Sequence, residues 1–338
     1  MIDRRVLLAA GLDAVWLAGC GRRAEGVAAP GEVRFSILST EAAQNVTPYW
    51  GPILADMQKQ TGLRVTPFFS SNYTLLVEAM RFKQTDLGWF SNLSGLEAVR
   101  QANGQVFARA FDAGDHDGYA SVLIVPLKSR ITLDQVLKCG RRLTLGMGDA
   151  LSTSGTLAPM TYLFAPRGID PAICFKQVRR GASHQANLYA VANGQIDVAT
   201  NNTASLLLAR RRGRVEASEV RVIWQSSVLP EDPLIWRKDL DPAVKERLRQ
   251  FFLTYGQGDT PKAALQRSYL ARFNVGGFRP ADDSHLLPVR EMEAAERWLA
   301  AKQSGGSTKA AAAKKTLDSI RAERMALEAR TRAPAAAQ

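Results

Sequence analysis

Residues 79–88, Ala79-Met80-Arg81-Phe82-Lys83-Gln84-Thr85-Asp86-Leu87-Gly88, return 111 residues later as Ala190-Val191-Ala192-Asn193-Gly194-Gln195-Ile196-Asp197-Val198-Ala199. Each copy closes a helical pattern, keeps Gln84 or Gln195, and opens a short apolar run with Asp86 or Asp197. Outward from these copies, apolar runs alternate with amphipathic stretches, the pattern of an α/β fold. The first block predicts strands at 34–38, 63–69 and 86–90 with helices at 48–60 and 73–84. The second predicts strands at 142–146, 173–178 and 196–200 with helices at 154–165 and 184–193. Two similar lobes follow. The offset lays Tyr73 on His184, each at the start of its lobe's second helix. Open α/β sheets bind ligands at strand carboxyl ends and helix starts, so the two residues are expected to face one cleft.

The chain has 338 residues, 46% hydrophobic and 22% charged, enough for two domains with a self-sufficient core, and this excludes a wholly disordered chain. Its three histidines (His116, His184, His285) and three cysteines (Cys20, Cys139, Cys174) lack metal-ligand spacing, so neither metal nor cofactor is expected. Cys139 and Cys174 read equally as an oxidised pair or as two buried thiols. The net charge of +12 has no basic stripe with interleaved aromatics; Arg179-Arg180 and Arg210-Arg211-Arg212 stand without stacking partners, and a nucleic-acid partner is not expected.

The strongest chemical signal is Gly146-Met147-Gly148-Asp149-Ala150-Leu151-Ser152-Thr153-Ser154-Gly155, between a strand and a helix. It has neither P-loop nor Rossmann glycine spacing. Three hydroxyls, Ser152, Thr153 and Ser154, stand at a helix start, where free backbone N–H groups and the positive dipole end suit a tetrahedral oxyanion. Plain N-capping accounts for one hydroxyl, not three. Gly155 is expected to permit close backbone approach, and Pro159 to bend or delay the helix. Ser94 with Glu97 fits a capping box, Thr203 and Ser205 open a helix, and Trp89 and Phe90, ending a strand, read as core or cleft wall, with core the default.

Arg4-Arg5, an apolar run interrupted by Asp13, and Leu17-Ala18-Gly19-Cys20 read as an export segment. The last four resemble the bacterial lipoprotein signal, which makes Cys20 the expected acylated anchor; the alternative is later cleavage near Val27-Ala28-Ala29. At the other end, a Gly/Ser break at 303–307 precedes an Ala/Lys/Arg/Glu-rich helical pattern at 309–330.

From about residue 34 to 290 the chain resembles the phosphonate-binding proteins of ABC transporters. The matches are Ser39-Thr40-Glu41, Asn45, Met80-Arg81-Phe82, Asn92-Leu93-Ser94, 102–108, 121–125, Ser152-Thr153-Ser154-Gly155, 197–203, Asp232-Pro233 and Trp236-Arg237. The resemblance implies a two-lobed periplasmic-binding-protein fold (type II-like), each lobe a mixed sheet flanked by helices, joined by a two-strand hinge and followed by a C-terminal helix. The expected segments are 1–30 (signal or lipoprotein anchor), 31–122 with 231–300 (first lobe), 123–230 (second lobe) and 301–338 (helical tail), with crossovers near 121–125 and 223–232. It implies a periplasmic solute-binding protein that captures alkylphosphonates by hinge closure and delivers them to a membrane permease, and is not an enzyme. Ser152, Thr153 and Ser154 would hold phosphonate oxygens, with Tyr73, Tyr119 and His184 as further donors. Asp232 matches one of two carboxylates that meet a ligand ammonium in relatives taking aminoalkyl phosphonates. Ala204 replaces the other, a glutamate, which predicts tolerance for neutral or smaller phosphonates unless Glu231 or a water fills the gap. The alternatives are a related small oxyanion, phosphite or a phosphate ester, and a serine hydrolase using Ser152 or Ser154 with His184 and Asp232. The tail is expected either to mediate a homodimer or to be a solvated helix on a flexible tether.

Overall fold

The computed structural model describes residues 31–39, 43–114, 116, 118–181 and 183–332. The export segment with Cys20 lies outside the described residues. In chain order the first lobe begins β1 (Glu32–Leu38), α1 (Ala43–Thr61), β2 (Arg64–Ser70), α2 (Tyr73–Arg81), β3 (Leu87–Trp89), α3 (Asn92–Gln101) and β4 (Gly104–Asp112). The second lobe holds β5 (Gly118–Pro126), α4 (Leu133–Leu137), β6 (Thr144–Gly146), α5 (Pro171–Cys174), β7 (Gln177–Arg179), α6 (His184–Ala192), β8 (Val198–Asn202), α7 (Thr203–Arg211) and β9 (Val220–Pro230). The chain then returns through β10 (Pro233–Arg237), α8 (Pro242–Thr254), α9 (Pro261–Ala271) and β11 (Val275–Pro280), and ends in α10 (Leu287–Gln303) and α11 (Ser307–Arg332).

The strand orders are β11-β4-β10-β3-β1-β2 and β7-β6-β8-β5-β9. Both contain the same core, with β1 parallel to β2 and β3 and β6 parallel to β7 and β8, and each then adds an antiparallel strand, β10 or β5. The repeated residues have identical jobs. Asp86 accepts the backbone N–H of Arg34 at 2.8 Å, and Asp197 that of Thr144 at 2.7 Å, so each carboxylate holds the strand end beside its own strand. The amides of Gln84 and Gln195 close the preceding helices on the carbonyls of Ala79 and Ala190. Val33, Phe35 and Ile37 of β1 are fully buried, and Phe35 meets Trp50 and Phe252 edge to face.

Some expectations are corrected. The strand expected at 173–178 is the short helix α5 followed by β7, because Asp170 caps a helix with Pro171 at its first position. The helix expected at 154–165 is two π-helical turns, Thr153–Leu157 and Met160–Phe164, on either side of Pro159. Proline donates no N–H, and the Ala158 amide reaches five residues back to Thr153. All of β5 lies in the second sheet, so the first change of sheet falls between the end of β4 at Asp112 and the start of β5 at Gly118, not within 121–125, and the second at Glu231-Asp232. The helix α3 is capped by Ser91, whose Oγ accepts from the Ser94 amide, while Glu97 pairs with Arg100; α7 is capped by Asn202 rather than by Thr203 or Ser205.

Cys139 and Cys174 form a disulfide that ties the end of α4 to the end of α5. The tail is not a tethered rod. Gly305 takes a left-handed conformation that turns the chain, and α11 lies back on α10 with Leu317 and Ile320 buried against Leu287 and Ala294. Arg321 and Arg324 meet Glu291 at 2.8 and 2.7 Å. In turn α10 touches both lobes: Met292 packs in one apolar cluster with Phe90 and Leu157, and Gln303 donates to the Ala165 carbonyl at 2.9 Å.

Candidate functional site

After β6 the chain runs through Gly148 and Asp149 into the first π-helical turn. A Cβ on Gly155 would stand 2.7 Å from Ser152 Oγ and 2.9 Å from Gly148 Cα, so this glycine lets two pieces of the loop touch each other rather than merely admitting a ligand. Ser152, Thr153 and Ser154 are 2%, 0% and 2% exposed, and each hydroxyl does something different. Ser152 Oγ caps the turn, accepting from the Gly155 amide at 2.9 Å, and also meets the Tyr73 phenol. Thr153 Oγ1 accepts from the Leu93 amide of the other lobe at 2.9 Å. Ser154 Oγ lies 3.2 Å from His184 Nε2 and accepts from Asn202 Nδ2, also at 3.2 Å. Capping therefore explains one hydroxyl of the three.

Tyr73 and His184 each open a nine-residue helix behind a capping Asn72 or Ser183, but only Tyr73 reaches across to the other lobe, through Ser152; His184 meets Ser154 and Asn201 within its own lobe. Burial pushes the Tyr73 phenol far above its usual range, and it remains a neutral donor despite the lowering contact with Ser152. Burial also pushes His184 down from 6.5 to about 4, so its imidazole is neutral; its Nδ1 has no partner among the described residues. A base buried in its neutral form stabilises the fold fully above pH 6.5, and the contribution is lost as the pH falls toward 4. The ligand-free protein is expected to lose on the order of 3 kcal/mol across that window through this group. Melting curves between pH 7 and 4.5 check it: His184→Gln should flatten the acid limb, and an unchanged slope would remove His184 as the cause.

Tyr119 donates to Asp232 Oδ1 at 3.2 Å, Asn92 Nδ2 reaches the same oxygen at 3.5 Å, and Trp89 adds a third side-chain hydrogen bond. Burial first, and the neighbouring Glu231 charge second, raise the Asp232 carboxyl well above the usual carboxylate range. The Ser–His–Asp arrangement that the hydrolase alternative requires is not assembled, because the Asp232 carboxyl is engaged by Tyr119 and Asn92 and not by His184. Among the described residues no group of three or more His, Cys, Asp or Glu is placed to hold a metal.

From Asp232 a pocket of about 130 Å³ opens outward between the lobes. Glu231 and Asp232 line it with Ala204, Trp50 and Trp89, and Arg212 and Phe273 are also among its lining residues. Trp89 is half-buried and serves both places the sequence allows it, packing against the first lobe's core on one side and lining this wall on the other. Sequence reasoning also missed Asn92 and Asn202; the only available signal was an amide at a strand end or helix start. Here the lobes meet directly: Arg211 Nη1 donates to Asn274 Oδ1 at 2.6 Å, while the Arg212 guanidinium lies 4.3 Å over the Tyr49 ring and donates to the Arg272 carbonyl at 3.1 Å.

Residues 35–286 match the family described as the ABC transporter, phosphonate, periplasmic substrate-binding protein. The chain belongs to this family. The chain is 41% identical over 261 residues to the phosphonates-binding periplasmic protein of Escherichia coli K12, covering 77% of this chain and 75% of the relative. It also resembles the crystal structure of a binding protein component of an ABC phosphonate transporter from Pseudomonas aeruginosa, with TM-score 0.82 and 36% identity over 88% of this chain and 98% of that one. The fold recurs in PhnD1 of Prochlorococcus marinus in complex with methylphosphonate, at TM-score 0.68 and 21% identity over 78% of this chain and 97% of that one.

Proposed function

We propose that this phosphonate-binding protein captures an alkylphosphonate between its lobes and presents the closed complex to an ABC permease in the membrane. One observation carries the reading: three consecutive buried hydroxyls, Ser152, Thr153 and Ser154, are met by Tyr73 from the opposite lobe and by neutral His184. Hydrogen bonds to a charged group contribute about 1.5–3 kcal/mol each, so a few such donors suffice for tight capture of an oxyanion. The pocket beyond Asp232 favours a phosphonate with an organic substituent over phosphite, which carries a hydrogen in place of that substituent. Closure of the two lobes on the ligand is supported by donors drawn from both, Tyr73 from the first and Ser152 to Ser154 from the second. No chemical step is part of the proposal.

Titration calorimetry with methylphosphonate, phosphite and sulfate tests it. Methylphosphonate is expected to bind with one-to-one stoichiometry and without turnover, and failure of every phosphonate would sink the reading. Trp50 and Trp89 line the cleft, so saturation with methylphosphonate is expected to shift tryptophan emission; unchanged emission and scattering at saturation would remove closure. The Leu17-Ala18-Gly19-Cys20 segment supports anchorage through an acylated Cys20, checked by the mass of the mature amino-terminal peptide. Leu317 and Ile320, apolar positions of the tail helix that could have served a homodimer, pack within the chain against α10, which supports a monomer at this face.

A further inference from the structure

The second lobe also has a cavity at the end of its sheet away from the hydroxyl turn. The amino ends of β6 and β7 lie side by side there, and the segments that lead into them, 138–143 and 174–175, bound a pocket of about 450 Å³. Its floor is apolar: Val136, Cys174 and Phe175 are 4% exposed or less, and Leu143 lies beside them. Its rim is basic. Lys138, Arg141 and Arg142 are exposed, and among the described residues none of the three is held in an ion pair. From this combination we propose that the pocket is a binding site for an amphiphilic anion, a charged head on an apolar tail or ring, separate from the phosphonate cleft.

The charges decide the head group. No acid is among the lining residues, and nearby Asp170 is occupied at the start of α5, where it accepts from the Ala172 amide at 2.8 Å. Elsewhere in the molecule arginines are matched by carboxylates, Arg34 and Arg237 by Asp86, and Arg321 and Arg324 by Glu291. Three like charges around one opening leave a positive field that an anion relieves, and two guanidinium forks offer paired donors to its oxygens. The floor decides the rest. A bare inorganic anion would touch only the rim and keep its water, whereas an apolar tail leaves water by lying against the floor. The volume is within the range of small-molecule sites. The frame is also fixed in advance: the Cys139–Cys174 disulfide joins the two segments, the Arg141 amide donates to the Cys174 carbonyl at 3.1 Å, and the Lys176 amide to the Leu143 carbonyl at 2.8 Å. Those ties hold Cys139 and Arg141 at φ of 53° and 51°, a left-handed conformation uncommon for residues with a side chain. A pocket held this way has little ordering left to do when a ligand arrives.

Equilibrium dialysis with octanoate tests the site, with acetate as the head without the tail and 1-octanol as the tail without the charge. Octanoate is expected to bind once per protein, at least ten times tighter than either control, and equally well with and without saturating methylphosphonate. Arg141→Gln combined with Arg142→Gln is expected to weaken octanoate at least tenfold while methylphosphonate affinity stays at its wild-type value. Failure of octanoate to bind, a control that binds as tightly, unaltered affinity in the double variant, or displacement by methylphosphonate would each overturn the inference. Vesicles of phosphatidylglycerol separate a free amphiphile from a lipid surface: protein that sediments with them but retains no octanoate would assign this face to a membrane instead. Each of these failures leaves phosphonate capture in the cleft untouched, and failure of methylphosphonate to bind leaves this site untouched.

Discussion

Affinity for methylphosphonate is expected to fall about 10²- to 10⁴-fold when Tyr73→Phe and Ser154→Ala are combined, since each removes one hydrogen bond of about 1.5–3 kcal/mol to a charged group. The two positions come from opposite lobes, so the pair tests whether one ligand is gripped from both sides. Tyr73→Phe alone keeps the ring, which is 5% exposed, and leaves the Ser152 cap on the Gly155 amide in place. It should therefore weaken binding without much effect on folding. Ser154→Ala also takes the partner from His184 Nε2 and Asn202 Nδ2, and is expected to cost some stability as well. Calorimetry gives the affinity and thermal unfolding separates the two contributions. Wild-type affinity in the double variant would show that the hydroxyl turn does not hold the phosphonate.

Reduction of the Cys139–Cys174 disulfide is expected to destabilise the ligand-free protein by about 4 kcal/mol, the loop-closure entropy of a chain segment of this length. The sequence separation is 35 residues, all within the second lobe, and the crosslink secures α4 and α5. Cys139 packs against the lobe's apolar cluster and Cys174 is 4% exposed, so paired serines would add the burial of two hydroxyls to the loss. The melting temperature should drop by roughly 10 °C with reductant or in the double Cys→Ser variant, using the usual conversion for domains of this size. Phosphonate affinity should change little, because neither cysteine lines the cleft pocket. Equal melting of oxidised and reduced protein would show that the pair does not stabilise the fold.

The two-lobed plan could be read from Asp86 and Asp197 because each aspartate does a local job, holding the amide of the neighbouring strand, and a local job leaves a local signature. Tyr73 and His184 were legible for the same reason, since helix starts are set by capping residues nearby. The path between lobes was not. Residues 119–125 form an apolar run that would serve equally well in either sheet, and only pairing with β8 and β9 assigns it to the second. The substituent pocket was half legible: Asp232 and Ala204 were named from the resemblance, whereas the aromatic wall required distant Trp50, Trp89 and Phe273 to meet. The Pro159 distortion was expected, but nothing local distinguishes a bent α-helix from two wide turns.

The first sheet's dependence on two late strands, β10 and β11, has a consequence for how the protein is made. The second sheet, β5 to β9, is encoded without interruption and has all its strands once Pro230 has emerged. The first sheet begins more than eighty residues earlier but waits for β10 and β11, the last of which ends at Pro280, and until then β3 and β4 flank the place of an absent strand. During vectorial delivery from the ribosome or through a translocation pore, the lobe synthesised later is thus the first able to close, and the amino-terminal half must be kept from premature strand pairing until the carboxyl-terminal third arrives.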